Sequence, residues 1–331
     1  MRRMFVATRG FTRIRTAVAV IVFVVSAMGL VATTPARATF SGDNGRIFFR
    51  QGKNIYGVSA TEDSTRQVVA KGADFPGKPK LLDVSVSPTG KKIAFSAAGD
   101  IWVKTIGSAG AKNVTKRASN NLDLTQARYP AWSPEGDQLV FQATRNTSGF
   151  PRNRLYRIDL DGTGIKQLHL FDTNLSYHGF PDWSSQDVIV FVVLDDLWVM
   201  NPNGLEKERL TTDGMNYTEP SWSPAGDEIV VTSEIGTTIH APNPGVVIVD
   251  AVSGEVTAQV TGPADYDSHY ESPSWSPDEQ SIAFAGWQDD STSPVRKVLQ
   301  APAAAGSAAS VQEVYEGATH SFEPAWGVAV P

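Results

Sequence analysis

A short motif that returns along the chain at a nearly regular spacing constrains the fold more than any other feature. The motif is a proline, a spacer, Trp-Ser-Pro, an acidic or small residue and glycine, followed by a run of β-forming residues. Its six full or partial copies are centred on Val86, which replaces the tryptophan, and on Trp132, Trp183, Trp222, Trp275 and Trp326. Their mean separation of 48 residues is typical of one four-stranded blade of a β-propeller.

The residues between the motifs carry three further strand patterns in each complete repeat. These runs are rich in β-branched and aromatic residues, with Gly, Pro, Asn and Asp between them. The last copy has only its innermost strand, because the chain ends five residues after Trp326, whereas residues 46–49, 54–58 and 66–69 supply the three missing strands. We therefore predict an all-β fold, a six-bladed β-propeller of four-stranded antiparallel blades closed by pairing of the N- and C-terminal segments.

The residues of the motif have a structural explanation. Ser-Pro-x-Gly is typical of a tight turn, since Pro presets φ at the first corner and Gly accepts the positive φ that follows. Two copies lack the glycine, at residues 184–187 and 277–280, so their turns are expected to be present but less ideal. We interpret the five motif tryptophans as packing residues between blades, and stacking on a cofactor is the alternative.

The N-terminal residues have the three-part pattern of an export signal. Five arginines and no acidic residue occur in residues 1–15, an apolar run spans residues 17–32, and Pro35-Ala36-Arg37-Ala38 is a small-residue cleavage pattern. We predict a signal peptide at 1–38 with cleavage after Ala38, a single propeller domain at 39–331, and a periplasmic, cell-envelope or secreted location. An uncleaved N-terminal anchor is the alternative, and Arg2-Arg3 leaves the twin-arginine route open beside the general one.

Charge and cysteine content narrow the classes of partner and chemistry. The first 38 residues contain six arginines and no acidic residue, so the remainder has a formal charge of −12 compared with −6 for the whole chain. Such a surface repels phosphate backbones, which argues against nucleic acid and favours a protein, peptide or cationic partner. The absence of cysteine excludes disulfides and thiolate chemistry. We expect a monomer without a cofactor and without a stable membrane span after signal cleavage.

The repeat residues resemble a known family. Trp-Ser-Pro-Asp/Glu-Gly before a β-Phe, then Leu-Tyr/Trp, Asp-Gly and Arg-Leu-Thr, resembles the WD40-like (PD40) repeat of TolB-type propellers over about residues 44–331. The resemblance implies a six-bladed propeller. TolB is a periplasmic protein of the Tol–Pal system that binds partner proteins, so it also implies protein binding. TolB carries an α/β domain before its propeller, which this sequence is expected to lack, and membership of a Tol–Pal system stays open.

The segments that lead into the innermost strands contain candidate binding residues at the mouth of the central channel. Three histidines lie five or six residues before the motif position, and three glutamates lie three or four before it. The candidates are Arg128, Tyr129, His178, Tyr217, Glu219, His269, Tyr270, Glu271, His320 and Glu323. They could converge as a metal or acid–base cluster, or each could bond the backbone of its own blade as a repeat residue.

The connections between second and third strands open on the same face of the predicted ring. Three of them are long, at Thr144–Asn153, Glu234–Pro244 and Trp287–Pro294, and long loops on one face are common partner-binding surfaces of propellers. The candidates there are Phe150, Arg152, Arg154 and Trp287, of types enriched at interfaces. Solvated loop tips are the alternative.

Two functions remain after motif searches. The chain has no G-x-S-x-G nucleophile elbow, no phosphate-binding P-loop and no dinucleotide fingerprint. The first hypothesis is a non-enzymatic, exported propeller that binds a protein or peptide at the cell envelope. The second is a metal- or acid/base-dependent glycan lyase or hydrolase using channel-mouth His, Glu and Tyr. The first is favoured because no catalytic constellation stands outside the repeats.

Overall fold

The computed structural model shows six antiparallel sheets of four strands each, which confirms the predicted propeller architecture. It describes residues 40–59, 65–116, 122, 124–147, 150–168, 178–234, 245–261, 268–288, 296–304, 311–317 and 323–330. The predicted signal peptide at 1–38 lies outside these ranges. No helix within them is long and apolar enough to cross a membrane.

The 24 strands follow the repeat order of the sequence, and each blade is named here by its motif copy. The N-terminal strands are β1 (Asn44–Gln51), β2 (Asn54–Ser59) and β3 (Gln67–Ala70). Blade 1 contains β4 (Leu81–Val86), β5 (Lys92–Ala97), β6 (Asp100–Thr105) and β7 (Lys112–Asn113). Blade 2 contains β8 (Leu124–Trp132), β9 (Gln138–Thr147), β10 (Phe150–Asp159) and β11 (Lys166–Gln167).

Blades 3 to 5 also contain four consecutive strands each. Blade 3 contains β12 (His178–Trp183), β13 (Ile189–Val193), β14 (Asp196–Met200) and β15 (Glu208–Arg209). Blade 4 contains β16 (Asn216–Trp222), β17 (Glu228–Glu234), β18 (Gly245–Asp250) and β19 (Val256–Gln259). Blade 5 contains β20 (Ser268–Trp275), β21 (Ser281–Gln288), β22 (Arg296–Pro302) and β23 (Gln312–Gly317), and the last strand is β24 (Ala325–Val328).

The two ends of the chain form the sixth blade together, as predicted. β24 is the innermost strand of this blade, and it pairs antiparallel with β1 through Ile47 opposite Trp326 and Phe48 opposite Ala325. β2 and β3 complete the sheet. Closure therefore depends on backbone hydrogen bonds between residues almost 280 positions apart, and it gives both strands a partner where an open ring would expose sheet edges.

The motif tryptophans pack between blades, as interpreted from the sequence. Trp132, Trp183, Trp222 and Trp275 are each 2% exposed and Trp326 is 6% exposed. Each lies in a hydrophobic cluster with strand residues of the preceding blade, for example Trp183 with Val140 and Leu155 and Trp222 with Val190. Burying an indole of about 200 Å² at about 25 cal/mol per Å² contributes up to about 5 kcal/mol each.

The motif turns form in all five complete copies. In each, the fourth residue donates its N–H to the carbonyl of the motif serine, at 2.9 Å from Gly90, Gly136 and Gly226. Asp187 and Glu279 replace glycine in the other two turns and make longer bonds of 3.2 and 3.0 Å, with φ of +63° and +62°. The left-handed conformation is unfavourable for residues with a Cβ, so these turns are less ideal, as predicted.

One connection predicted as a long loop is instead paired strand. β9 and β10 form a hairpin in which Thr147 lies opposite Phe150 and Thr144 lies opposite Asn153. Only two residues, Ser-Gly in the sequence, remain between the strands, and such a dipeptide suits a tight hairpin turn. The prediction of a loop at Thr144–Asn153 was wrong because the Thr- and Arg-rich flanks continue the ladder. Of the predicted loops at Glu234–Pro244 and Trp287–Pro294, Glu234 and Trp287 lie on β17 and β21, and the residues beyond Glu234 and Gln288 lie outside the described ranges.

Candidate functional site

Five innermost strands contain a β-bulge at the same repeat position. Their pairing register shifts just before the motif, for example between Arg128 and Ala131 in β8 and between Thr218 and Ser221 in β16. The residue three before the motif position has a left-handed φ, between 51° and 55°, in all five strands. In four of them proline follows, which has no N–H for the ladder and is therefore tolerated at a bulge.

The bulge positions of the blades surround one cavity of about 170 Å³ at the centre of the propeller. We call the six residues at this repeat position the channel ring: Asp83, Tyr129, Phe180, Glu219, Ser272 and Glu323. Two neighbouring blades contribute aromatic rings, and the other four contribute three carboxyl groups and a hydroxyl. The same backbone position therefore presents different classes of side chain in different blades.

The aromatic half of the channel ring is a packed pair. The ring centroids of Tyr129 and Phe180 are 4.5 Å apart with planes tilted by 57°. The Arg128 guanidinium lies 4.8 Å from the Tyr129 centroid, within the range of a cation–π interaction. Burial raises the pKa of Tyr129 above its usual range, and the Asp83 carboxylate adds to the effect, so this phenol stays neutral.

Asp83 and Arg128 form an ion pair between blades 1 and 2, in which the Asp83 side chain is buried and the Arg128 side chain is 32% exposed. Both carboxylate oxygens of Asp83, which is 6% exposed, accept from Arg128, with 2.6 Å between Nη2 and Oδ1. Asp83 also accepts from Ser96 Oγ at 2.6 Å. Burial alone would lower the pKa of Arg128, but the hydrogen bonds and charge of Asp83 outweigh it and raise the pKa. The pair therefore holds Arg128 beside Tyr129 as a fixed cation.

Glu323 connects the closing blade to blade 1. Its Oε2 accepts a hydrogen bond from the backbone N–H of Asp83, and its Oε1 lies 3.7 Å from Nη2 of Arg50. Burial and the negative charge of Asp83 together raise the pKa of Glu323 to about 7, against the opposing effects of Arg50 and Arg128. This carboxyl therefore titrates near neutral pH although it has a cationic partner.

Glu219 differs from the other acids of the channel ring in having no cationic partner among the described side chains. Its Oε2 accepts two hydrogen bonds of 2.9 Å, from the backbone N–H and the hydroxyl of Ser272. Burial raises the pKa of Glu219 to about 8, and the charges of Glu271 and Glu323 contribute. Glu271 itself pairs with Nη1 of Arg296 at 2.9 Å.

A fourth carboxyl of the cavity wall, Asp182, has a structural role. Its Oδ2 accepts the backbone N–H of Trp222 at 2.8 Å, which ties the inner strand of blade 3 to that of blade 4. Ser274 occupies the same repeat position and accepts from the N–H of Trp326 at 3.0 Å. Burial raises the pKa of Asp182 to about 6, and hydrogen bonds from two backbone N–H groups limit the shift.

Phe40 lies in the wall of the same cavity, towards the turns that carry the Ser-Pro motifs. It is 6% exposed and packs in one hydrophobic cluster with Trp132 and Val328. Two residues later, the N–H of Gly42 donates to the carbonyl of Pro277 in a motif turn at 3.2 Å. Phe40 therefore contributes to the cavity wall on the side of the motif turns.

The structure places the remaining channel-mouth candidates in different environments. Tyr217 is fully buried in the hydrophobic cluster of blades 3 and 4, with its hydroxyl 2.6 Å from Asp213 Oδ2. Tyr270 packs edge-on against Phe284, with centroids 5.6 Å apart. Neither side chain lines the cavity. Of the ten candidates, Tyr129, Glu219 and Glu323 belong to the channel ring, and Arg128 and Glu271 lie immediately before ring residues.

The proposed histidine cluster stays a hypothesis. His178 is the first residue of β12 and His269 lies in β20. The side chains of both, and all of His320, lie outside the described residues. Among the side chains that are described, no group of three His, Cys, Asp or Glu residues could hold a metal ion. The loop-face candidates have a similar status: Arg154 lies on β10, whereas the side chains of Phe150, Arg152 and Trp287 are outside the described set.

Three ring residues were not among the sequence candidates: Asp83, Phe180 and Ser272. All three stand three residues before the motif position, like Tyr129, Glu219 and Glu323. A search by fixed offset from the tryptophan, rather than by residue type, would have identified the complete channel ring.

Comparison with known proteins agrees with the fold. The family model described as the TolB beta propeller domain matches residues 76–330. No curated protein sequence matches this chain.

Solved structures share the architecture at low sequence identity. TolB from Acinetobacter baumannii is 17% identical, with a TM-score of 0.57 over 86% of this chain and 67% of that one. A nidogen/laminin complex is 11% identical, with a TM-score of 0.60 over 86% and 98%. An oligogalacturonate lyase from Vibrio parahaemolyticus is 13% identical, with a TM-score of 0.54 over 83% and 77%. At such identities the likeness shows the fold alone.

Proposed function

Because this chain belongs to the TolB beta propeller domain family, we propose that it is an exported propeller that binds a protein or peptide at the cell envelope and catalyses no reaction. The mouth end of the central channel is the binding site in this proposal. The N-terminal pattern of arginines, apolar run and small residues supports export, and the acidic charge beyond Ala38 supports a polypeptide rather than a nucleic-acid partner.

The composition of the channel ring is the observation that carries the proposal. Six positions with equivalent places in the repeat hold two aromatic rings, three carboxyl groups and one hydroxyl around a cavity. If the ring position served packing alone, we would expect similar residues there in each blade, as at the tryptophan position. A cavity wall with an apolar side and a polar side is instead typical of a ligand site.

The backbone of the channel ring also supports a binding role. Tyr129, Phe180 and Glu219 hold φ between 51° and 55°, a conformation that is unfavourable for any residue with a Cβ. The surrounding sheet maintains this strain, which is common where side chains must be presented to a ligand. The bulges turn these side chains to the channel at the end of the strand that faces the mouth.

We do not extend the activity of the similar lyase to this chain. The lyase name belongs to a protein 13% identical to this one, and a shared propeller can carry unrelated functions. The channel ring by itself presents side chains that can recognise a ligand, and the sheets hold them in place.

Affinity capture from envelope extracts with the immobilised protein tests the proposal. A ring variant carrying Tyr129→Ser and Phe180→Ser removes the aromatic half of the channel ring. The matched control carries Leu205→Ser and Val252→Ser, which replace side chains 61% and 91% exposed in turns between third and fourth strands, on the opposite face. Thermal unfolding establishes that both variants are folded.

We expect the wild-type protein and the control to capture the same polypeptide and the folded ring variant to lose it. Capture by the ring variant at the wild-type level, loss with the control variant, or no specific capture by the wild-type protein would contradict the proposed function.

A further inference from the structure

The charges around the channel ring do not balance among the described side chains. Each of three acids has an arginine partner, in the pairs Asp83–Arg128, Glu323–Arg50 and Glu271–Arg296. Asp182 and Glu219 have none. The Asp182 carboxylate accepts hydrogen bonds from backbone N–H groups and in this way links two blades. Glu219 is therefore the ring carboxylate whose charge is not compensated, and an uncompensated charge in such a site is costly.

One oxygen of Glu219 is available to a ligand. Ser272 donates both of its hydrogen bonds to Oε2, and no described group donates to Oε1. Glu219 lies deep in the channel wall, yet part of its surface stays accessible and contributes to the cavity lining. A carboxylate can accept more hydrogen bonds than these two, so a cationic donor in the cavity would satisfy it.

The neighbouring blade contributes an aromatic surface to the same cavity wall. Phe180 occupies the ring position next to Glu219, and Tyr129 packs against Phe180 with centroids 4.5 Å apart. Aromatic faces attract cations and also cover methylene groups. The channel ring already shows this preference internally, since the Arg128 guanidinium lies over the Tyr129 ring.

We propose that the channel binds a primary ammonium group, with Glu219 as its ion-pair partner and the Phe180–Tyr129 pair as the apolar wall around its methylene stem. The proposal rests on the proposed function, because it assigns the chemical group through which a polypeptide partner is held. A lysine side chain and the amino end of a chain carry this same group.

The size of the cavity agrees with an ammonium group on a short stem. Its volume of about 170 Å³ exceeds the roughly 30 Å³ that one water occupies, so it has space for an ammonium and several methylenes. Phe40 adds apolar surface to the wall of the same cavity.

Binding of a cation should release a proton. The groups that act on Glu219 are Glu271 and Glu323, which raise its pKa, and Ser272, which lowers it, while Tyr129 is held neutral. With a pKa of about 8, Glu219 is mostly protonated in the empty site at pH 6, and an ammonium ion binds its ionised form. Affinity should therefore rise about 10-fold or more between pH 6 and pH 8.

Calorimetric titration of the purified protein with three small compounds tests the assignment. Nα-acetyl-lysine methylamide presents a side-chain ammonium, alanyl-alanine amide presents a chain-end ammonium, and Nα-acetyl-norleucine methylamide is the uncharged counterpart of the first. The variant is Glu219→Gln, which keeps the shape and removes the charge. The matched control is Glu255→Gln, which removes the same charge from an exposed residue immediately before β19.

We expect at least one ammonium compound to bind the wild-type protein, to bind Glu219→Gln at least about 10-fold more weakly, and to bind Glu255→Gln unchanged. The norleucine compound should not bind. Whichever ammonium compound binds more tightly identifies the source of the group. Equal binding of the norleucine compound, no binding of either ammonium compound, or full binding to folded Glu219→Gln would overturn the assignment.

The two proposals fail in different ways. If the ammonium compounds do not bind but the ring variant loses the captured polypeptide, the ammonium assignment is wrong and the proposed function stands. If the ammonium compounds bind through Glu219 but no polypeptide is captured through the channel ring, the proposed function is wrong and the cation site stands.

Discussion

The motif position and the channel-ring position lie three residues apart, on the same innermost strand in five of the blades, and their residues vary in different ways. At the motif position five of six blades have tryptophan, buried between blades in every case. At the ring position the backbone is nearly the same in five blades, yet the side chains range from phenylalanine to glutamate. The first pattern indicates a shared packing requirement. The second indicates that a common frame presents different groups to one cavity, which is the arrangement of a binding site.

The largest effect on stability is expected at the motif position. Trp222→Ala empties the space between blades 3 and 4 and should lower the free energy of unfolding by about 3–5 kcal/mol, whereas Phe180→Ala, at a half-buried ring position, should lower it by less than half as much. Denaturant unfolding of both variants measures the difference. Equal losses would remove the distinction between the two positions.

The next largest effect on stability is expected at the Asp83–Arg128 ion pair between blades 1 and 2. Arg128→Met leaves the carboxylate of Asp83 buried without its cation and should cost about 2–3 kcal/mol of unfolding free energy. The double variant Asp83→Asn/Arg128→Met removes both charges and should recover part of the loss. A double variant no more stable than Arg128→Met would show that Asp83 does not need its partner.

Glu219 predicts an effect that depends on pH. Its pKa is about 8 when folded and near 4.5 ordinarily, so the folded protein binds more protons and loses stability as pH rises between these values. Glu219→Gln removes this loss. The variant should melt at a higher temperature than the wild-type protein at pH 8 and show no gain at pH 4. A gain that does not change with pH would mean that the carboxyl does not titrate as described.

The smallest effect is expected at the hydroxyl of the channel ring. Ser272→Ala removes one of the two hydrogen bonds to Oε2 of Glu219 and leaves the backbone N–H in place, so it should cost about 1 kcal/mol or less. Denaturant unfolding checks the stability. Because one bond to the ionised form is lost, ammonium binding at pH 7 should also weaken slightly. A loss as large as that of Trp222→Ala would place Ser272 with the packing residues.

The sequence predicts the fold well and the site only in part, for a physical reason. Tryptophan, proline and glycine at fixed offsets determine packing and turns, so blade number, turns and closure could all be inferred. The channel ring depends on a bulge, which adds one residue to the strand and changes which side chains face the channel. Nothing in the residue types of Tyr217 or Tyr270 shows that they fall on the core side of that bulge, whereas Phe180 and Ser272 fall on the channel side.

The most direct test removes the side chains of the channel ring and leaves the motif tryptophans unchanged. A variant with glycine at Tyr129, Phe180, Glu219 and Ser272 relieves the left-handed φ at each position, since glycine adopts it freely. This variant is expected to unfold cooperatively within about 5 °C of the wild-type protein and to capture the envelope polypeptide no longer. A variant that fails to fold, or that folds and still captures the polypeptide, would contradict the assignment of packing to one position and binding to the other.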